Sequence, residues 1–397
     1  MKRNVSICFN LYMKKYLEIV FILSLTAALL LCTACSKKPA AEPEPSESIC
    51  PVSEPVDFAL VTTATPEPVR TPEPTPEPTD TPRPYVENVQ PYVFAWLSDT
   101  QYYSRNNNGV FECMTQYIAD NLEAMNIQYI IHTGDLVHNK GKAEQWDIAD
   151  RSMQTIDSIP NGVCAGNHDV GTEIEDRDYS YFCKHFGEFR YKDKPWYGGS
   201  YLDNKDHYDL LSIGNTDYIF VYLGYQVLQE DFDWAVSVLN EYKNRVGILC
   251  THDYFYHDLS ITDYGQKIHD NVVKACPNIY MVLCGHRYNC ACIPEKIDDN
   301  SDGTPDRTVL QMIANYQAIG AADSKNRTGG DGYMLFLTIN EEEGTLSYIS
   351  YSPYLDDSVY FDTKKHQKEK YSFSPDSEQG TYPLPWFDSV VKKASDN

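Results

Sequence analysis

Positive charge is in short supply. Against 57 acidic residues the 397-residue chain carries 33 Lys and Arg, a formal net charge of −24. That balance excludes nucleic acid as a bulk polyanionic partner, because proteins that hold one display a basic footprint. A single small phosphate ester is not excluded, since a few local cations neutralise it. Paired C-x2-C spacing is missing where cysteines crowd, at Cys284, Cys290 and Cys292 in MVLCGHRYNCAC. A self-contained zinc knuckle needs that spacing. Core-forming residues are scarce from Glu42 to Pro84, where EPEPSES and TPEPVRTPEPTPEPTDTPRP alternate Pro with Glu and Thr. Such a stretch favours extended polyproline II. At about 3.1 Å per residue it forms a tether reaching on the order of 130 Å.

What is present begins with a leader. Lys14 and Lys15 precede an apolar run from Tyr16 to Leu31 broken only by Glu18, and Cys32-Thr33-Ala34-Cys35-Ser36 follow. A charged start, an apolar stretch and small residues before a cut are the parts of a secretory signal. Its end resembles the lipobox of bacterial lipoprotein signal peptides, with Cys35 as the lipidated residue and Cys32 where those leaders carry leucine. The alternative is an uncleaved N-terminal anchor helix, since Leu17 to Ala34 matches the roughly 17–25 residues of a bilayer span. Both readings put the rest outside the cytoplasm, anchored to the outer face of the bacterial cell membrane. The expected organisation is a leader at 1–35, a disordered Pro/Glu/Thr-rich linker at 36–91 and one domain at 92–397. That address permits disulfides. Cys164, Cys250 and Cys284, however, each end an apolar run and read as small core residues.

From residue 92 short apolar runs alternate with longer amphipathic ones, the pattern of α/β architecture. VFAWLSD (93–99) precedes a helical face of Phe111, Met114, Ile118, Leu122 and Met125, and YIIHTGD (129–135) precedes AEQWDIADRSMQTID (143–157). GVCAGNHD (162–169) follows, then a Tyr-rich region at 200–223 that reads as antiparallel strands, then VGILCTHD (246–253) and YMVLCGHR (280–287). Five apolar runs thus end in Asp99, Asp135, Asn167-His168, His252 and His286. In open α/β sheets ligands bind beyond the carboxyl ends of strands, so these five ends can meet at one edge.

Asp99-Thr100-Gln101, Gly134-Asp135, Gly166-Asn167-His168-Asp169, Thr251-His252-Asp253 and Gly285-His286 match, in order, the motifs of the calcineurin-like metallophosphoesterases, which the chain resembles over about residues 92–355. SDTQYY, DRTVLQMIANYQ and GGDGY resemble a bacterial extracytoplasmic branch. The resemblance implies two β-sheets packed face to face with helices outside, an αββα sandwich. It implies a phosphate-ester substrate and two divalent metal ions, Mn, Fe or Zn, that share one hydroxide and clamp phosphoryl oxygens. Asp135 would bridge the pair, Asn167, His252 and His286 would complete one site, and Asp99 with Gln101 would serve the other. His168 matches the non-ligand histidine that protonates the leaving oxygen, and Asp169 would orient it.

Two histidines of that family are missing here. Gln101 stands in the first motif, and Tyr288 followed by Asn289 replaces the second His of Gly-His-x-His. Both losses fall on the metal held by Asp99, which becomes oxygen-rich and favours manganese or iron over zinc. His132, on an apolar strand, reads as a satisfied core histidine, and His138 either lines the pocket or serves its loop. Asp298, Asn300 and Asp302 begin a possible calcium loop, D-x-N-x-D-G, but Val309 occupies its twelfth position. The other reading is a polar hairpin turn. The leading function is a surface-anchored phosphoesterase; the alternative is a catalytically weak domain of the same fold that binds a ligand or wall polymer.

Overall fold

The computed structural model describes residues 83–317, 330–360 and 377–392. Cys35, the leader and most of the tether lie outside them. Among the described residues no helix is long and apolar enough to cross a membrane. In chain order the strands are β1 (Tyr92–Leu97), β2 (Ile127–His132), β3 (Asn161–Val163), β4 (Tyr197–Tyr201), β5 (Asp206–Ile213), β6 (Thr216–Leu223) and β7 (Val246–Thr251), then β8 (Ile279–Cys284), β9 (Asn289–Ile297), β10 (Arg307–Asn315), β11 (Met334–Asn340), β12 (Thr345–Ser352), β13 (Asp357–Ser358) and β14 (Gln379–Pro383). They form two seven-stranded sheets. The first is ordered β13-β12-β11-β1-β2-β3 with β14 also on β12, and the second β4-β5-β6-β7-β8-β10-β9.

Each central strand is apolar on both faces because both faces are covered. Along β1, Phe94 and Trp96 join a core shared with Phe220, Ile248, Met281 and Met312 of the other sheet. Val93, Ala95 and Leu97 point the opposite way, onto the helices Val110–Asp120 and Ala143–Gln154. Along β8, Met281 and Leu283 face the first sheet, while Val282 and Cys284 meet the helices Gln229–Glu241 and Asp263–Ile268. The result is the expected sandwich of helices, sheet, sheet and helices. Fully burying each such side chain contributes about 1.5–3 kcal/mol.

All eight cysteines from Cys113 to Cys292 are free thiols, and Cys164, Cys250 and Cys284 are core residues as expected. Cys290 and Cys292 share the inter-sheet face while Ala291 faces the other way, as strand alternation requires. Residues 83–91, assigned to the linker by composition, dock on the β5–β6 turn. Arg83 pairs with Asp217, and the Val86 backbone exchanges two hydrogen bonds with the Asn215 side chain.

Within the inter-sheet core lies a carboxyl group. Asp209 accepts a short hydrogen bond from the Tyr129 hydroxyl, which in turn accepts one from Tyr222 at 3.1 Å. Burial pushes the Asp209 carboxyl well above the usual carboxylate range. The folded chain therefore keeps a proton that the unfolded chain releases above about pH 4. Its contribution to stability is complete below that pH and is lost as pH rises toward the raised folded value, at up to about 1.4 kcal/mol per pH unit. Asparagine does not titrate, so Asp209→Asn should gain stability relative to wild type between pH 4 and pH 8. Urea midpoints at several pH values check this; parallel profiles for the two chains would contradict it.

Candidate metal centre

Parallel pairing brings the site together. β1, β2 and β3 run parallel in one sheet, as do β6, β7, β8 and β10 in the other. Their carboxyl ends carry the motif residues to the same edge. Asp99, Asp135 and His286 all adopt left-handed backbone, with φ of 54°, 58° and 67°. Such residues cost about 1–3 kcal/mol each and persist only where the surroundings hold them. Here the Asp99 amide donates to the Gly134 carbonyl at 3.0 Å and the His286 amide to Asp99 Oδ2 at 3.1 Å. The motif glycines permit this crowding. A Cβ on Gly285 would lie 2.4 Å from Asp99 Oδ2, and one on Gly166 would lie 2.2 Å from Asp135 Oδ1.

One half of the site brings together side chains of the kind that could hold a metal ion. Nitrogen or oxygen atoms of Asp135, His252 and His286 all lie within 4.8 Å of one another. His252 Nδ1 donates to the Thr133 carbonyl at 2.7 Å, which fixes the tautomer and leaves Nε2 for the site. That Nε2 lies 3.2 Å from Asn167 Oδ1 and 3.3 Å from Asp135 Oδ1. Two oxygens therefore converge on one nitrogen. Burial acts to lower the His252 pKa, but the Asp135 carboxylate outweighs it and lifts the ring to about 10. Burial likewise acts to raise Asp135, and the His252 charge outweighs it, holding that carboxyl well below the usual range. A nitrogen faced by a carboxylate oxygen and an amide oxygen, with the His286 ring beside them, is a donor set that a divalent cation fits. Burial, then the His252 charge, keeps His286 neutral, the form in which imidazole ligates. The Tyr225 ring packs 5.7 Å from the ring of His286 and 6.0 Å from that of His252, a wall that sequence reading missed.

The other half is richer in oxygen. Asp99 is buried, and burial together with the nearby Asp135 charge lifts its carboxyl to about 7, with His252 opposing. Gln101 opens the short helix Gln101–Asn106 and donates Nε2 to Asp135 Oδ2 at 2.9 Å. Gln317, two residues past β10, donates Nε2 to Asp99 Oδ1 at 3.2 Å. This is a sixth strand end, beyond the five that Asp, Asn and His mark in the sequence. Asn289 does not replace a lost histidine: its amide nitrogen donates to the His257 carbonyl and its oxygen accepts from the Cys290 amide. Tyr288 is half-buried in the turn before β9.

His168 and Asp169 divide differently from the expectation. His168 Nδ1 donates to the His138 carbonyl at 2.8 Å, and its ring stacks on that of His138. Asp169 does not orient it. The Asp169 carboxylate instead accepts from the Leu136, Val137 and Gly166 amides at 2.9, 3.0 and 2.8 Å. It shapes the backbone just after Asp135. His138, for which a pocket or loop role was open, supplies the orienting carbonyl. His132 is the satisfied core histidine expected, with Nδ1 accepting from the Gly134 amide and Nε2 donating to Thr100 Oγ1.

The acidic loop after β9 is a hairpin connection to β10. Oxygens of Asp298, Asn300 and Asp302 accept the backbone amides of residues 302, 303 and 304, while Asp299 pairs with Arg307. These are turn contacts, in keeping with the hairpin reading.

The sequence profile of the calcineurin-like phosphoesterases matches residues 92–289, the stretch that holds every motif residue from Asp99 to His286. Residues 92–289 are a calcineurin-like phosphoesterase domain. The chain is 41% identical over 288 residues to YvnB, an uncharacterised protein of Bacillus subtilis strain 168; the match covers 72% of this chain and 22% of YvnB. The chain thus spans about a fifth of that relative. Among solved structures, a purple acid phosphatase from yellow lupin (Lupinus luteus) aligns at a TM-score of 0.45 with 13% identity, over 69% of this chain and 54% of that one. A dimetal phosphatase from Danio rerio aligns at 0.43 with 10% identity, over 66% and 96%.

Proposed function

We propose that this phosphoesterase domain hydrolyses phosphate esters at the outer face of the cell membrane, using two divalent cations. The convergence of Asp135, His252 and His286 within 4.8 Å carries the reading. Asp135, Asn167, His252 and His286 would hold one cation, and Asp99, Gln101 and Asp135 the other. When bound, the pair supplies Lewis-acid shielding of phosphoryl oxygens and water acidic enough to attack at neutral pH.

The chain's own residues supply the remainder. His168, with Nδ1–H committed to the His138 carbonyl, keeps Nε2 as the nitrogen that can pass a proton to a leaving oxygen. Arg287 follows His286 directly and packs over the Tyr256 ring at 5.9 Å; its buried Nε has no hydrogen-bond partner among the described residues. It is the local cation that lets an acidic protein accept a phosphate. The Pro-rich tether and leader support placement beyond the membrane.

The test is hydrolysis of an aryl phosphomonoester and an aryl phosphodiester by the purified full chain with added Mn²⁺. Turnover should stop with chelator. Absence of turnover on both, with metal bound, would favour the ligand- or wall-polymer-binding alternative. Cell fractionation addresses the location, and recovery of the chain in the cytosol would sink the anchored reading.

The two halves of the site should hold metal unequally. Two imidazoles complete the first, whereas the Asp99 half has amides, which are weaker donors. After dialysis, metal analysis should find nearer one than two ions per chain, with activity restored by Mn²⁺ or Fe²⁺. Two firmly retained zinc ions would contradict this.

A further inference from the structure

The geometry points to Gln317 as a ligand of the cation at Asp99, filling with an amide oxygen a place left short of donors by Gln101 and Tyr288. This rests on the metal-dependent reading above. Gln317 is buried, at 5% exposure, and its Oε1 has no hydrogen-bond partner among the described residues. A buried acceptor without a donor costs about 1–3 kcal/mol, and a cation within its reach would remove that cost. Gln101 repeats the pattern: Nε2 faces Asp135 Oδ2, and the buried Oε1 is likewise unpartnered. Two buried glutamines thus flank two buried carboxylates, each turning its N–H side inward and each with an unused oxygen.

That orientation is the one expected without a cation. Rotating an amide by 180° exchanges its oxygen and nitrogen, and only the surrounding network decides which faces a carboxylate. With a cation between the carboxylates the oxygen becomes the favoured end. The separations fit: ligands at about 2.1 Å in octahedral geometry lie about 3 Å apart when adjacent. Nε2 of Gln101 and of Gln317 lie 2.9 and 3.2 Å from their carboxylate oxygens, so each flipped oxygen would take an adjacent-ligand position.

Asp99 does not need Gln317 to hold it. Its Oδ2 already accepts from Ser98 Oγ at 2.6 Å and from the His286 amide at 3.1 Å. Gln317 is itself placed by its amide, which donates to Asn315 Oδ1 at 2.9 Å at the end of β10. Asp99, Gln101, Asp135 and Gln317 make four hard oxygen donors and leave two octahedral positions for water and substrate. This set suits Mn²⁺ better than Zn²⁺.

The test is Mn²⁺ binding to the metal-free full chain, followed by equilibrium dialysis and by the electron paramagnetic resonance of free Mn²⁺. Wild type should show a tight and a weaker class. Gln317→Leu should weaken the weaker class by at least about tenfold, since even partners outside the ligand shell change affinity 10–100-fold. The tight class should stay unchanged, which also reports that the variant is folded. Gln317→Glu decides between ligand and mere support. A carboxylate that ligates the cation tightens the weaker class by about tenfold or more; one that only abuts Asp99 relieves the repulsion by sharing a proton with it and leaves that class no tighter than wild type. Unchanged binding in Gln317→Leu, or no tightening in Gln317→Glu, overturns the inference. Should Gln317→Leu lose both classes through misfolding, the sign seen with Gln317→Glu decides alone. A wild-type chain that binds no Mn²⁺ at all sinks the phosphoesterase reading and this inference together.

Discussion

Asp135→Ala should lose both classes of metal and lower turnover by more than about 10³-fold, beyond the 10–100-fold typical of residues that only support ligands. Asp135 is the one carboxylate joined to both halves of the site. Its Oδ1 meets His252 and accepts the His168 amide at 2.9 Å, and its Oδ2 accepts Gln101. Removing it takes away the charge that keeps His252 protonated in the metal-free chain, so the imidazole also reverts toward neutrality. His286→Ala should be narrower, costing the tight metal while Asp99, Gln101 and Asp135 remain. Metal content by mass spectrometry, read beside turnover, distinguishes the two variants. An Asp135→Ala chain that retains the tight metal at wild-type affinity would show that Asp135 is no ligand.

Much of this site was legible because parallel strands with both faces covered are written as continuous apolar runs, and each run stops at a polar residue of the candidate site. VFAWLSD, YIIHTGD and VGILCTHD show the stop plainly. The run VLQMIANYQ has the same form, but it ends in amides, and a neutral Gln317 gave no charge or imidazole to mark it. Its importance follows from β10 lying parallel to β8, a long-range pairing that no local pattern contains.

The division of labour between His168 and Asp169 was illegible for a different reason. Neighbours in sequence at the start of the helix Asn167–Val170 point about 100° apart, so adjacency in the motif does not make them partners. Asp169 turns back to the amides of the Asp135 loop, and the carbonyl that orients His168 comes from His138, thirty residues earlier. Linker composition misled in one place as well. Residues 83–91 look like tether by their prolines, yet Arg83 finds a partner on β6 and Val86 one in the turn before it, contacts that become visible only when the sheet is formed.

His168→Ala should lower turnover by about 10²- to 10⁴-fold while leaving both metals bound, the range expected when a general acid is removed. The only bond from His168 to a proposed ligand is through its backbone amide, to Asp135, and an alanine keeps that amide. The side chain bonds to the His138 carbonyl, so truncation removes a proton donor and a ring stacked at 4.8 Å on His138. The size of the loss should depend on the leaving group. An alkyl alcohol departs poorly as an alkoxide and needs the proton; a nitrophenol departs readily as its anion and needs it less. Turnover of an alkyl phosphate ester should therefore fall much further than turnover of the matching nitrophenyl ester. Measuring both esters with one metal-loaded variant separates proton donation from a general disturbance of the pocket, which would slow the two equally. Equal losses, or loss of metal from the variant, would remove His168 from the role of acid.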